Sequence, residues 1–338
     1  NNKLYKLVYF IYVNMGNKSK TNENCCLDKL DAKILSELIR NSRIPLTKLA
    51  KKIKASREVI TYRINKLKKD KIILDFVTEI DIEKLGFIGA AVFLNIKSHK
   101  EKNFKQFLDA SDSVSWVAEH SGVWGFGLSI IGKTNQELDE KFLILYDKFK
   151  NDIINYRFTL HRKNTFLYEK YFNTKFFSGK QTKISNYLID NKDKILLKEL
   201  ATNSRIECVE LAKKVKLTAP AVAKRIKQLE NSKIIRNYSI FVDVSKIGLF
   251  QYSIFSKNKK VDEREKLLSY LKQHSQVSFI AEYVGDPFIE FGIFVEDPYK
   301  LKNVLLGVEE AFPDNRIMEI SLFHKEFISI GPPKCVFE

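Results

Sequence analysis

Two stretches of the sequence, LAKKIKASREVITYRINKLKKDKII at 49–73 and LAKKVKLTAPAVAKRIKQLENSKII at 211–235, carry the same basic pattern within one chain. The longer segments around them, 31–87 and 193–249, align without a gap at a constant offset of 162 residues. The apolar positions are kept between the two copies, whereas many polar positions differ. An ungapped match of this length indicates an internal duplication.

Each copy of the repeat predicts three helices. The first, at 31–40, has apolar residues three or four positions apart and stops at Asn-Ser. The second begins near Pro45, which suits the first turn of a helix. Ser56 and, in the other copy, Thr218 are predicted to cap the third helix. A helix, a short turn and a second helix leave the outer face of the second helix free to enter a DNA groove.

The positive charge of the chain is concentrated in these repeats. The 338 residues carry a formal net charge of +17. Residues 27–73 contain 14 Lys and Arg against 5 Asp and Glu, and residues 189–235 contain 11 against 6. The segments 74–172 and 236–338 are slightly acidic, with 13 basic residues each against 14 and 15 acidic ones. Charge segregated in this way indicates two binding surfaces for a polyanion such as DNA.

The segment after each helical repeat predicts a different fold. Its first part is rich in β-forming residues and ends at Gly86 or Gly248. The pattern that follows has the order βαββαβ, typical of a ferredoxin-like sandwich with helices on one face of an antiparallel sheet. The predicted bounds are strand 87–96, helix 100–110, strands 114–121 and 124–132, helix 134–150 and strand 154–163, then strand 250–256, helix 262–273, strands 277–284 and 288–295, helix 298–312 and strand 316–323.

The sequence therefore predicts the α+β class, with two winged-helix-like helix-turn-helix domains and two ferredoxin-like domains in tandem. The predicted segments are an N-terminal tail (1–26), helix-turn-helix domain 1 (27–73), ferredoxin-like domain 1 (74–172), a linker (173–188), helix-turn-helix domain 2 (189–235) and ferredoxin-like domain 2 (236–338). The linker region is long enough to let the two halves lie side by side.

The duplicated unit resembles the Lrp/AsnC, or feast/famine, transcription regulators. The resemblance is carried by LDKLDAKILSEL, NSR, LAKKI and RINKL in the first copy, and by VGDPFIEFGIFVED and AFPDNRIMEISLFHKEF in the second half. It covers about residues 27–330 and implies a helix-turn-helix and a ferredoxin-like regulatory (RAM) domain in each half. Family subunits pair through their regulatory sheets, so the resemblance implies a pseudo-dimer within one archaeal-style chain, with further homo-oligomers expected.

Two residues depart from the family pattern at the end of the third helix. Lys71 and Lys233 stand where the family usually has a glycine. We therefore expect either a lysine in left-handed conformation, at a cost of up to about 1 kcal/mol, or a different helix end.

The third helix of each copy supplies the candidates for DNA recognition. In copy one, Arg57, Glu58, Thr61, Tyr62 and Asn65 face away from the apolar stripe, and Arg and Asn are suited to reading guanine and adenine. The equivalent positions of copy two are Ala219, Pro220, Ala223, Lys224 and Lys227, of which the two lysines are the readout candidates. This difference predicts an asymmetric operator, with copy one reading bases and copy two mainly holding phosphates.

The candidates for phosphate contacts are basic residues of both copies. They are Lys48, Lys51, Lys52, Lys54, Arg63, Lys66 and Lys68 in the first copy, and Lys213, Lys214, Lys216 and Arg225 in the second. As a set they predict an affinity for double-stranded DNA that falls steeply with salt.

A small-molecule effector, such as an amino acid, is implied by the family resemblance near a glycine turn of the regulatory domain. The matching residues are Gly122 and Trp124 in the first half, and Gly285 and Asp286 in the second. Trp124-Gly125 stands where an acidic residue commonly follows the aromatic in the family, which argues against ligand binding by the first half.

The remaining patterns predict no cofactor, metal or membrane partner. Cys25, Cys26, Cys208 and Cys335 lack zinc-ligand spacing and do not resemble a disulfide framework, so a reducing cytoplasm is expected. The apolar run at 4–13 is shorter than the roughly 20 residues that span a bilayer. Met15 is a candidate start, which would leave residues 1–14 outside the native protein.

The sequence leaves two alternatives to a DNA-binding regulator. His161-Arg162 and His324-Lys325 end the last strand of each half, and relatives of this fold that decarboxylate the tetrapyrrole siroheme use His and Arg. The other alternative is a ligand-sensing or assembly protein without specific DNA binding. The full basic recognition helix of copy one favours the non-enzymatic, sequence-specific regulator.

Overall fold

The computed structural model describes residues 27–172, 187–258, 260–284, 288–328 and 332–337. The first half contains α1 (Lys29–Arg40), α2 (Leu46–Ile53), α3 (Arg57–Lys69), β1 (Ile73–Ile80), β2 (Ile88–Ile96), α4 (Glu101–Asp109), β3 (Val114–Gly122), β4 (Phe126–Gly132), α5 (Asn135–Phe149) and β5 (Ile153–Phe166). The second half repeats this order as α6 (Asn191–Thr202), α7 (Cys208–Val215), α8 (Ala219–Asn231), β6 (Ile235–Val242), β7 (Phe250–Asn258), α9 (Arg264–Gln273), β8 (Val277–Tyr283), β9 (Phe288–Val295), α10 (Pro298–Ala311) and β10 (Asn315–Ile328).

The third helix of each helical unit begins at the predicted cap. The Ser56 hydroxyl accepts a hydrogen bond from the Val59 N–H at 3.2 Å, and the Thr218 hydroxyl accepts one from the Ala221 N–H at 3.4 Å. Both interactions satisfy backbone donors that the first turn of a helix leaves free. Pro45 lies at the N-cap of α2 rather than within its first turn, so that helix begins one residue later than the proline.

Strands β1 and β6 pair with each other in an antiparallel two-stranded sheet between the helical units. The segment from residue 74, predicted to start the first regulatory domain, thus lies with the helical units. Ile240 and Val242 of β6 pack into the core of the first unit, and Ile80 of β1 packs against that of the second. Each helical core is therefore completed by a strand of the other half.

The two predicted ferredoxin-like sheets join into one closed eight-stranded barrel in the order β10-β3-β4-β2-β5-β8-β9-β7. Each sheet buries a core beneath its own two helices, on the outside of the barrel. The halves meet at two seams, β5 with β8 and β3 with β10. β5 and β10 run longer than predicted, because their ends pair with the opposite half.

Three further predictions concern absences. No helix in the described ranges combines the length and apolarity needed to cross a membrane. Within the same part of the chain, no group of three or more His, Cys, Asp and Glu side chains is arranged to hold a metal ion. Cys208 is a free thiol, and Cys25 and Cys26 lie outside the described residues.

Candidate nucleic-acid interface and barrel cavity

The recognition helix of the first unit, α3, presents its predicted readout residues to solvent. Ile60 and Ile64 are buried beneath it. Arg57, Glu58, Tyr62 and Asn65 are exposed and Thr61 is half-buried, with 66% of Tyr62 accessible. The α3 surface thus offers a guanidinium, a carboxylate, a phenol and an amide, groups that can contact base edges.

The recognition helix of the second unit, α8, buries the same face but exposes fewer side chains that can form directional hydrogen bonds. Val222 and Ile226 are buried beneath it, as Ile60 and Ile64 are in the first unit. Lys224 and Lys227 are its exposed basic residues, and the neighbouring exposed positions are Pro220 and Ala223. This surface supplies charge and little hydrogen-bonding geometry with which to distinguish bases.

The lysines predicted to contact phosphate are exposed in both units. They are Lys48, Lys51, Lys52, Lys54, Lys66 and Lys68 in the first, and Lys213, Lys214 and Lys216 in the second. Lys52 forms an ion pair with Glu37 at 2.5 Å, and Lys214 forms the equivalent pair with Glu199 at 2.7 Å. Exposed pairs of this kind are weak, so both lysines remain available to exchange a carboxylate for a phosphate.

The two arginines in the phosphate set have internal partners instead. Arg63 Nη1 lies 2.5 Å from Asp28 Oδ2 and 3.2 Å from Asp31 Oδ2. Arg225 Nη1 makes the equivalent pairs with Asp190 at 2.9 Å and Asp193 at 3.0 Å. Each arginine ties its recognition helix to the start of the first helix, and these hydrogen bonds raise the pKa of both guanidinium groups. We therefore assign Arg63 and Arg225 a structural role and retain the lysines as the phosphate candidates.

The two helical units contact each other through the Asn-Ser-Arg turn that the sequence repeats. The hydroxyls of Ser42 and Ser204 lie 2.6 Å apart across the pseudo-twofold axis. Arg43 donates to the Ser204 carbonyl at 2.5 Å, and Arg205 donates to the Ser42 carbonyl at 2.6 Å. We call these four residues the turn clasp. Since it joins the units directly, it restrains the separation of α3 and α8.

Both recognition helices end with a lysine in the left-handed conformation. This is one of the two helix endings expected from the absence of a glycine there. Lys71 has φ 54° and Lys233 has φ 61°. In the first copy, the Lys71 N–H donates to the Lys68 carbonyl and the Ile72 N–H donates to the Leu67 carbonyl, which is a Schellman ending with lysine in place of glycine. Lys54 and Lys216 adopt the same conformation after α2 and α7, which the sequence reasoning missed.

The predicted effector turn of the first half is closed by internal contacts. Gly122 has φ 134°, and a Cβ there would lie 2.6 Å from the Ile320 carbonyl oxygen. Trp124 is 6% exposed, and its indole N–H donates to Glu319 at 2.9 Å. Neither residue lines the large cavity described next. Gly285 and Asp286, the candidates of the second half, lie outside the described residues.

A cavity of about 600 Å³ lies between the barrel and the β1–β6 sheet. All eight barrel strands contribute to its walls, and Val77, Glu79, Ser239 and Phe241 belong to the side formed by β1 and β6. The barrel side chains on its walls include Trp116, Ser129, His161, Asn164, Phe279, Tyr283, Glu290, Phe323 and Glu326. The sequence reasoning did not find this cavity. Its one local signal was Glu290, a carboxylate inside the otherwise apolar strand FIEFGIFV.

Burial sets the protonation of the groups on the cavity walls. It raises the pKa of Glu290 to about 7, although the Ser253 and Tyr283 hydroxyls both donate to its carboxyl group. It raises the pKa of Glu326 to about 7 as well, while the Trp116 indole N–H donates to that side chain at 2.7 Å. Burial has the opposite effect on the His161 imidazole, whose pKa falls to about 4. At neutral pH the cavity walls therefore hold a neutral imidazole and carboxyl groups that exist in both the protonated and the ionised form.

Comparison with known proteins identifies the family. An AsnC-type helix-turn-helix domain matches residues 27–68 and again residues 189–230. An uncharacterized HTH-type transcriptional regulator of Pyrococcus abyssi is 31% identical over 148 residues, which are 42% of this chain and 96% of that protein. The HTH-type transcriptional regulator LrpA of Pyrococcus horikoshii is 31% identical over 121 residues, 35% of this chain and 84% of that protein. The chain belongs to the Lrp/AsnC family of helix-turn-helix transcription regulators.

The lengths of these matches agree with the duplication, since a relative matched over nearly its whole length accounts for less than half of this chain. Among solved structures, the siroheme decarboxylase NirDL is similar over 90% of this chain and 94% of that chain, with a TM-score of 0.59 and 15% identity. At this identity the likeness concerns the fold alone, and it extends over both halves.

Proposed function

We propose that the chain is a sequence-specific DNA-binding transcription regulator that works as a covalent pseudo-dimer on an asymmetric operator. The observation that carries the proposal is the exposed face of α3, where Arg57, Tyr62 and Asn65 stand free of the helical core. The second recognition helix offers Lys224 and Lys227 to the same polyanion. Base readout thus belongs mainly to the first unit and phosphate contact to both.

The turn clasp adds a spacing rule to this proposal. The reciprocal bonds of Arg43 and Arg205 hold the units together, and β1 and β6 cross between their cores. Two recognition helices held at a fixed distance fit DNA half-sites at one separation, because a shift along the DNA axis also rotates the direction in which the major groove faces. We expect one preferred half-site spacing, which substitution of both arginines by alanine would broaden.

The proposal includes a cytoplasmic, non-catalytic protein that forms homo-oligomers and responds to a small-molecule effector, such as an amino acid, at its regulatory domains. The family membership supports these features. The chemistry of the cavity also counts against a siroheme decarboxylase, because siroheme is a polycarboxylate and the buried charged groups of these walls are acidic. His161 lies there with a neutral imidazole, beside Ser129 at 3.2 Å.

Selection of bound sites from a random duplex pool tests the proposal directly. The expected result is an enriched motif with two unlike halves at one spacing. The chain with both Arg43→Ala and Arg205→Ala serves as the matched comparison and is expected to enrich the same halves at several spacings. Enrichment of no sequence over the starting pool, with heparin competing equally well, would overturn the proposal in favour of a protein without specific DNA binding.

A further inference from the structure

The cavity between the barrel and the β1–β6 sheet has an acidic interior. Glu290 is 3% exposed, and the two side chains that hydrogen-bond it, Ser253 and Tyr283, are neutral hydroxyls. Glu326 and Glu79 belong to the same walls, and burial raises the pKa of each. A buried carboxylate without a counter-charge is costly, so these three groups favour the arrival of a positive charge.

The basic groups of the same walls are exposed or already paired. Arg162 and Lys163 are exposed residues of β5. Arg236 is paired with Asp81, to which its guanidinium donates at 2.8 and 3.1 Å. Arg157, which is close enough to influence Glu290, forms a two-pronged ion pair with Glu319 at 2.7 and 2.8 Å. The interior thus presents carboxyl groups whose nearest guanidinium groups are already engaged by Glu319 and Asp81, so a positively charged ligand would find carboxylates to pair with.

Aromatic rings form much of the remaining wall. Trp116, Phe279 and Phe323 line the barrel side, and Phe166 and Tyr168 extend the apolar surface. The faces of such rings attract cations, most strongly where water is excluded. The volume of about 600 Å³ lies in the ordinary range of small-molecule sites.

We propose that this cavity binds an organic cation, a protonated amine carried on an apolar or aromatic body, with the ammonium group against Glu290 and the body against Trp116 and Phe323. The same chemistry disfavours carboxylates and other anions. Such a ligand differs from a zwitterionic amino acid, whose carboxylate would meet the acidic walls.

The position of the site gives its occupant a route to the DNA-binding units. One wall of the cavity is the β1–β6 sheet, and those strands complete the cores of both helical units. A ligand that packs against this sheet would alter the relative placement of the recognition helices. This regulatory consequence rests on the proposed function, whereas the binding itself does not.

Calorimetric titration of the full chain tests the binding. Tryptamine and phenethylamine are the probes, and indole-3-propionate and 3-phenylpropionate are the matched anions with the same rings. We expect the amines to bind and the anions to bind at least tenfold more weakly. Because a bound cation stabilises ionised carboxyl groups, binding should release protons near pH 7, seen as heats that differ between two buffers, and should tighten between pH 6 and pH 8.

Three variants separate this site from an unspecific effect. Glu290→Gln and Glu326→Gln are each expected to weaken amine binding tenfold or more and to reduce the proton release. Glu310→Gln, an exposed change on α10, should leave both unchanged. Thermal unfolding of each variant checks that it is folded, and competition between the two amines checks that they share one site.

Equal or tighter binding of the anions, no binding by either amine, or amine binding unchanged in both cavity variants would overturn the inference. Affinity for the selected DNA is measured on the same samples. Intact DNA recognition without amine binding rejects only the cation site, and amine binding without DNA preference rejects only the proposed function.

Discussion

The two halves of the chain share a fold but differ in the chemistry of their surfaces. Arg57, Tyr62 and Asn65 stand on the first recognition helix, whereas the second has Lys224 and Lys227 among alanines and a proline. The buried residues beneath both helices remain apolar. Each copy must rebuild the same core, but a fused pair need not read two identical half-sites, so the outer faces of the recognition helices were free to diverge.

The same divergence occurs inside the barrel. Gly127 pairs with Phe93 and Ala118, and Glu290 makes the equivalent pairs with Phe255 and Ala281. A Cβ at Gly127 would lie 3.1 Å from the ring of Trp116, so the first half fills this space with an indole where the second places a carboxyl group. A symmetric homodimer has to repeat any change at both positions, and a duplicated chain does not.

The largest effect that we predict concerns this unmatched carboxyl group. Glu290 has a pKa of about 7 in the folded chain against an ordinary value of 4.5, so the folded state holds more protons between those pH values. Its contribution to stability is therefore present at low pH and is lost as pH rises through 7. Relative to Glu290→Gln, the wild-type free energy of unfolding should fall by roughly 3 kcal/mol between pH 5 and pH 8.

Urea unfolding at several pH values measures this difference. The comparison has to be made against the variant, because the lowered pKa of His161, about 4, gives the opposite slope between pH 4 and 6.5. Glu310→Gln, on an outer helix, should show no such pH-dependent difference. A constant difference between wild type and Glu290→Gln would contradict burial of this carboxyl group.

The second prediction concerns the difference between the two recognition helices. Arg57→Ala should weaken binding to the selected operator by about 1–3 kcal/mol, a factor of about 5 to 150, and should weaken binding to scrambled DNA much less. Lys224→Ala should weaken both DNAs alike and lower the slope of affinity against salt by about one. Filter binding or fluorescence anisotropy at several salt concentrations measures both. If each variant lost the same affinity for the operator and for scrambled DNA, the proposal that base readout belongs mainly to the first unit would be contradicted.

The third prediction compares the two internal arginines. Arg225→Ala leaves Asp193, which is fully buried, with the Tyr187 hydroxyl and a backbone N–H as its partners. We expect the free energy of unfolding to drop by roughly 1–3 kcal/mol, the usual cost of an unpaired buried acceptor. Arg63→Ala should cost less, because Asp31 is 6% exposed.

Denaturant unfolding measures this order, and salt titration of DNA binding tests the structural role that we assign. If Arg63 or Arg225 contacts phosphate, as the sequence suggested, its loss should reduce the salt slope by about one. If the role is internal, the salt slope stays unchanged while stability falls.

The features that local chemistry determines could be predicted from the sequence. Ser56 and Thr218 cap helices because a hydroxyl at that position meets free backbone donors, and the apolar spacing of each helix marks its buried face. The order of strands and helices in each regulatory domain followed from similar patterns. The exposure of the lysines and of the predicted readout residues of α3 could also be predicted, since their position opposite the apolar stripe already determines it.

Which strands and side chains meet between the halves could not be predicted from local patterns, although the family resemblance implied that the regulatory sheets pair. Nothing local in β1 indicates that it pairs with β6. Nothing local in β6 indicates that its Ile240 completes the core of the first helical unit, which is far away in sequence. The internal partners of Arg63 were hidden for the same reason, because a basic residue on a recognition helix suits either an aspartate or a phosphate. The cavity exists only once the barrel closes, and its carboxyl groups come from different strands.

The smallest predicted effect tests a feature in which the two halves agree. Lys71 and Lys233 hold positive φ at the ends of the recognition helices, where glycine carries no steric cost. Lys71→Gly and Lys233→Gly should each raise the free energy of unfolding by up to about 1 kcal/mol. Lys66→Gly, an exposed change within α3, should instead lower it by about 1 kcal/mol. Thermal unfolding gives the sign of each change, and a loss of stability at Lys71 or Lys233 as large as that at Lys66 would mean that the left-handed ending is not maintained. Equal gains in both copies would indicate that duplication left the backbone of the two units alone while their surfaces diverged.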